Sequence, residues 1–286
     1  MRLGDLLIHI LADTTFRLDG GAMFGVVPRV LWERKKAPDD QNRILMTSHC
    51  LLIESGDDLV LVDAGLGEKL DEKGLGVFAV PEGLPRLPDR IAGIGYRPEE
   101  VSHVILSHLH FDHCGWSTRR AGERWVPTFP NARYWIQRDE LAHARDPNPR
   151  DRPSYDARNF EPLVEAGMVE LFDGEAEPAP GIRAVHAPGH TEGMSIVVLD
   201  SGDGSGGALF LADLVPTAAH VPTPWVMGYD SYPVTTMKNK DQWLRRAVEE
   251  GRTCIFQHDP EVPAARLVEE RPGRYRAEPL DPESLQ

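Results

Sequence analysis

The segment SHLHFDHCG (107–115) places His108, His110, Asp112 and His113 within six consecutive positions. A lone histidine beside a strand is usually a hydrogen-bonded structural residue, but that reading does not account for four such groups together. His108 and His110 are two apart, so in extended backbone both imidazoles point to the same side, and Asp112 and His113 follow as the chain turns. Without a cation these polar groups would compete for few partners. A divalent metal satisfies them all, and it also compensates the carboxylate.

One loop cannot complete two coordination spheres, and suitable residues recur three times downstream. His190 follows GIRAVHA (181–187) through a Pro-Gly turn, Asp213 terminates GALFLA, and His258 terminates CIFQ. Each sits, like His108 after VSHVILS (101–107), just beyond a strand-like apolar run. That is the edge of an α/β sheet where binding sites collect. Five histidines and two aspartates suffice for three histidines on one metal, a carboxylate and two histidines on another, and one bridging carboxylate. The expectation is a two-metal site.

The elements that must position these residues alternate along the chain. Strand-length runs rich in Val, Ile or Leu include LLIHILA (6–12), CLLIES (50–55), DLVLVDAG (58–65), ARYWIQ (132–137), GMVELFDG (167–174), MSIVVLD (194–200) and RTCIFQH (252–258). Helical patterning marks QRDELAHAR (137–145), ARNFEPLVEAG (157–167) and KNKDQWLRRAVEEG (238–251), with a shorter candidate from Pro98. The pattern predicts an α/β architecture with sheet inside and helices outside. The proline-rich stretches 80–89 and 145–154 read as surface loops, because strand patterns resume soon after each. The whole chain, 1–286, is expected to form one domain.

HLHFDH at 108–113, GHT at 189–191, the Ala-Asp of FLADL at 212–213 and QHD at 257–259 together resemble the metallo-β-lactamase superfamily. The VDAG turn at 62–65 fits the same pattern. The resemblance implies an αββα sandwich of two mixed β-sheets flanked by helices, with metals at one edge. It implies that His108, His110 and His190 bind one metal, that Asp112, His113 and His258 bind the other, and that Asp213 bridges. Asp63 would orient the first loop. Zinc is the metal expected, with iron, manganese and cobalt compatible with the donors. Asp213 stands where the best-known zinc β-lactamases carry a cysteine, which argues against penicillin hydrolysis. Di-iron redox members replace a motif histidine by a carboxylate and add a flavodoxin-like domain, and this chain shows neither departure. DGGAMFGVVPRVLW (19–32) and ADLVPTAAHVPTPWVMGYD (212–230) resemble the branch holding quorum-quenching lactonases and methyl parathion hydrolase.

Two divalent cations sharing a water create a hydroxide nucleophile, which can attack a carbonyl carbon or a phosphorus. Asp112 is the candidate to orient that hydroxide and pass a proton to the leaving group. Related lactonases hold the substrate oxygen with a tyrosine near the bridging aspartate, but Pro216 occupies that place here, so Tyr229 and His220 are the substitutes considered. Met23, Phe24, Trp225 and Met227 are candidate pocket walls, with GGAMFG read as a loop. His9, His49, His103, His143 and His186 are assigned structural roles.

Composition narrows the partners. Lys+Arg 31 against Asp+Glu 45 gives a net charge of −14, and no basic run offers a phosphate-tracking stripe, which disfavours nucleic acid and anionic membrane. Cys50, Cys114 and Cys254 are far apart and odd in number, which points to a reducing compartment. Asp5 and His9 interrupt the apolar N-terminus, so no leader is read there and the cytoplasm is the expected location. The function expected is a dinuclear hydrolase of a small neutral ester, a lactone first. A phosphotriesterase-like activity at the same metals is the alternative, and a non-catalytic metal-binding regulatory domain is the reading from another class. A homodimer through the aromatic 220–233 segment is also considered.

Overall fold

A computed structural model describes residues 1–281 apart from 203, 205 and 272. The first sheet contains β1 (Arg2–Leu3), β2 (Leu6–Asp19), β3 (Arg43–Ser55), β4 (Asp58–Val62) and β5 (His103–Ile105). A two-stranded hairpin of β6 (Thr118–Ala121) and β7 (Arg124–Pro127) follows, and β8 (Arg133–Gln137) and β9 (Val169–Phe172) then complete the sheet in the order β1-β2-β3-β4-β5-β8-β9. The second sheet runs in sequence order through β10 (Glu175–Ala179), β11 (Ile182–His186), β12 (Ser195–Asp200), β13 (Gly207–Phe210), β14 (Thr253–Ile255), β15 (Ala264–Arg271) and β16 (Arg274–Pro279). Both sheets are mixed: β4, β5, β8 and β9 pair in parallel in the first, and β13 and β14 do so in the second.

Side-chain alternation explains the layering. Val60 and Val62 of β4 face Ala208, Phe210 and Ile255 across the sandwich, whereas Leu59 and Leu61 point the other way onto Leu87 and Ile91 of the helix Leu87–Gly93. A strand buried on both faces reads as a continuous apolar run, as DLVLV does. The outer face of the second sheet, with Val198, Leu209 and Cys254, is covered by Trp243, Leu244 and Ala247 of the helix Pro233–Glu249. The result is the expected αββα order, with three apolar cores stacked between four layers.

Several boundaries differ from the sequence expectation. β2 and β3 extend well past their apolar runs and pair as far as Asp19 with Arg43. Pro162 splits the 157–167 helix into a 3-10 turn and Glu161–Glu165, while Pro233 starts the last helix five residues before Lys238. The GGAMF segment is a short helix, Gly20–Phe24, and not a loop, because the Asp19 carboxylate accepts from the Ala22 N–H and caps it. Among the described residues, no helix is long and apolar enough to cross a membrane.

Candidate metal centre

The site lies where the parallel strand pairs of both sheets end. β4 leads to Asp63 and β5 to the 108–113 loop, while β13 leads to Asp213 and β14 to His258; the loop between β11 and β12 supplies His190. The edges are stitched together: the His49 N–H donates to the Gln257 carbonyl at 2.9 Å, and the Ser195 N–H donates to the Ser107 carbonyl at 2.8 Å. Close approach also matters. A Cβ on Gly115 would fall 2.1 Å from the Leu66 carbonyl carbon, so only glycine lets the chain beyond His113 pack against the turn after Asp63.

All seven ligand candidates converge, and none is more than 8% exposed. His108, His110 and His190 form one group able to hold a metal, and Asp112, His113 and His258 form another. Asp213 lies between them: Oδ2 is 3.1 Å from His190 Nε2 and 3.6 Å from His113 Nε2, and Oδ1 is 3.0 Å from His258 Nε2. Nitrogens face nitrogens, with His110 Nδ1 3.0 Å from His190 Nε2 and His258 Nε2 3.2 Å from His113 Nε2. His108 Nε2 and His110 Nε2 are buried without a hydrogen-bond partner. Buried polar atoms are rarely left so, and cations bound among them would satisfy the set. The donor chemistry therefore fits two divalent metals.

Electrostatics separate the histidines. Burial, reinforced by neighbouring imidazoles, drives the His108 and His110 pKa values well below the usual histidine range. Burial pulls His113 the same way, but Asp213 and Asp112 outweigh it and raise the pKa well above that range. His190 is also raised, with Asp213 and Asp230 overcoming burial.

The far side of several rings is held by named partners. His113 Nδ1 lies 3.0 Å from Asp63 Oδ2, His190 Nδ1 3.0 Å from Asp230 Oδ1, and His258 Nδ1 2.7 Å from the Thr47 carbonyl. These bonds turn each Nε2 towards the cluster and raise its basicity. Asp230 was not anticipated, although it closes the WVMGYD segment that carried the resemblance. Glu140 was also missed. Wholly buried, it accepts from the Leu109 N–H at 2.8 Å and from Thr191 Oγ1 at 2.6 Å, which ties the two histidine loops together. The available signal was an acid on the buried face that Glu140 shares with Leu141 and Ala144.

The cluster forms the floor of a cavity of about 270 Å³ whose walls include Leu18, Met23, Phe78, Phe111 and Met227, with Tyr229 at its edge. Of the wall residues expected, Met23 and Met227 reach the cavity; Phe24 and Trp225 do not. Phe24 is buried, stacked on His220 with ring centroids 4.4 Å apart, and Trp225 packs edge-on against it. His220 is likewise not brought to the cavity. Its Nδ1 is 2.7 Å from Thr217 Oγ1 and its Nε2 2.9 Å from the Met23 carbonyl, so both ring nitrogens are occupied. Burial pushes its pKa down to about 3, which keeps it a neutral structural ring. The loop 145–154 does more than cover surface, because Arg150, Pro153 and Ser154 line the cavity. His9, His49, His103, His143 and His186 all find partners outside the seven-residue cluster.

A family model described as the metallo-beta-lactamase superfamily matches residues 43–258, three-quarters of the chain. The chain belongs to the metallo-β-lactamase superfamily. An N-acyl homoserine lactonase of a Bacillus species is 31% identical over 177 residues, covering 57% of this chain and 62% of that protein. The chain thus spans less than two-thirds of that relative's length. A solved structure described as a probable metal-dependent hydrolase from Staphylococcus aureus is 31% identical, covers 97% of this chain and 99% of its own, and superposes with a TM-score of 0.88. AidC, described as a dizinc quorum-quenching lactonase in complex with a product, shares the fold at a TM-score of 0.80 with 19% identity, covering 98% and 96% of the two chains.

Proposed function

We propose that the chain is a dinuclear metal-dependent hydrolase acting on esters with an uncharged scissile group, lactones ahead of phosphotriesters. The observation that carries this reading is the pair of ligand groups flanking Asp213 on the floor of a largely apolar cavity. His108, His110 and His190 would hold one metal, Asp112, His113 and His258 the other, and Asp213 would touch both. Zinc suits this donor set. When bound, two such cations supply Lewis acidity and a water that ionises near neutral pH. Asp112 lines the cavity with Oδ2 3.7 Å from His258 Nε2, and from there it orients the attacking water and passes its proton to the leaving oxygen. Burial, followed by the charges of Asp19 and Asp112, raises the Tyr229 pKa to about 12. Tyr229 therefore stays protonated near neutrality and donates to the carbonyl oxygen as charge develops. The apolar walls receive an acyl or aryl group and exclude bulk water.

The lactonase names among the relatives support the lactone preference, and the apolar wall residues Met23, Phe111 and Met227 support an uncharged reacting group. The test is turnover of a panel of lactones, thioesters, phosphotriesters and phosphomonoesters by metal-loaded protein in oxygen-18 water. The reading expects lactone opening with label in the new carboxylate. Turnover of phosphomonoesters with no ester or lactone cleavage would overturn it.

A further inference from the structure

Among the described residues, Arg150 is the only lysine or arginine lining the cavity. Its guanidinium donates to the Gly228 carbonyl on the opposite loop, next to Tyr229, and forms no ion pair with any described carboxylate. An unpaired cation at this place contrasts with a chain whose net charge is −14. The backbone beneath it is fixed. Asn148 Oδ1 accepts from the Arg150 N–H at 2.9 Å, and Asp151, only 6% exposed, accepts from His143 Nε2 at 2.8 Å and from Asn148 Nδ2 at 2.9 Å. Asp151, which also lines the cavity, thereby anchors through Oδ2 the loop that carries the guanidinium. A guanidinium has five N–H donors in a planar fork; one direction is used on Gly228, and the rest match a carboxylate.

We propose that Arg150 is a specificity-determining residue that receives a carboxylate at the cavity mouth. That carboxylate is either carried by the ester at the end remote from the scissile bond or released by the hydrolysis itself. The inference rests on the hydrolase reading and narrows its substrates to esters with an uncharged reacting group and an acidic partner group.

The experiment compares p-nitrophenyl hemiglutarate with p-nitrophenyl butyrate, which present similar esters with and without a terminal carboxylate. Arg150→Ala should lower the ratio of kcat/KM for the anionic over the neutral ester by roughly tenfold, chiefly through KM, and Arg150→Lys should lose less. Calorimetric titration of glutarate and of butyrate into both proteins distinguishes the sources. Weakening for glutarate alone assigns the substrate's own carboxylate, and equal weakening for both assigns the one released. An unchanged ratio with unchanged titrations overturns the proposal, whether or not turnover of both esters falls, and would make Arg150 a strap between loops. If the wild-type protein cleaves neither ester, turnover of lactones tests the hydrolase reading separately, and the glutarate titration decides the role of Arg150.

Discussion

Asp63 and His113, both fully buried, meet with Oδ2 3.0 Å from Nδ1. Asp63 reaches this position from a left-handed backbone, φ 56°, and its other oxygen accepts from the Ser107 N–H at 2.7 Å. One carboxylate thus sets both the start of the ligand loop and the orientation of its last histidine. Asp63→Asn keeps the shape and removes the charge that holds the Nδ1 proton. Metal affinity should fall roughly 10–100-fold, the usual range for such supporting partners. Competition against a chromophoric chelator measures it; an unchanged affinity would reduce Asp63 to a turn residue.

Asp213 is the contact between the two ligand groups, so its loss should be felt at both. Wild-type protein purified without added metal is expected to hold roughly two metals per chain. Asp213→Ala leaves the flanking sites with less intervening negative charge and should lose at least one of them together with turnover. His186→Ala, whose Nε2 bonds only the Glu192 carbonyl, is the control. Elemental analysis finding a single metal in fully active wild-type protein would end the dinuclear reading, and two metals retained by Asp213→Ala would end the bridging role.

The candidate cluster was legible because metal ligation would demand particular residue types at strand ends, and both are visible in sequence. The supporting residues were less so. Glu140 and Asp230 act through contacts with chain segments 31 and 40 residues away, which no local pattern encodes. His220 is not brought to the cavity for a related reason: proximity in sequence to Asp213 says nothing of the Met23 carbonyl that occupies its Nε2. The same blindness hid β15 and β16, where Arg274 and Arg276 pair across to Glu270 at a solvent-facing edge instead of presenting an apolar run. Arg150 lay in a stretch that reads as an ordinary loop, and only the fold brings it to the cavity that the candidate cluster lines.

Lys240 supplies the last prediction. It is fully buried in the helix Pro233–Glu249, and its Nζ donates to the carbonyls of His220 at 2.6 Å, Trp225 at 2.8 Å and Pro222 at 3.0 Å, bracing the segment that precedes Met227 and Tyr229. Burial lowers its pKa to about 7, only partly offset by Asp230, against an ordinary value of 10.5. Between those values the unfolded chain binds the extra proton, so this lysine's unfavourable contribution is greatest below pH 7 and is relieved as pH rises. Lys69, lowered to about 8 by burial, acts in the same direction, so the effect must be read as a difference. Wild-type stability should rise by about 1–2 kcal/mol between pH 7 and 8.5 relative to Lys240→Met, the integral of that proton uptake. The variant also leaves three carbonyls without their donor, at a cost that does not vary with pH. Urea unfolding across this range gives the comparison, and parallel stability curves for the two proteins would mean that Lys240 does not titrate in the native state.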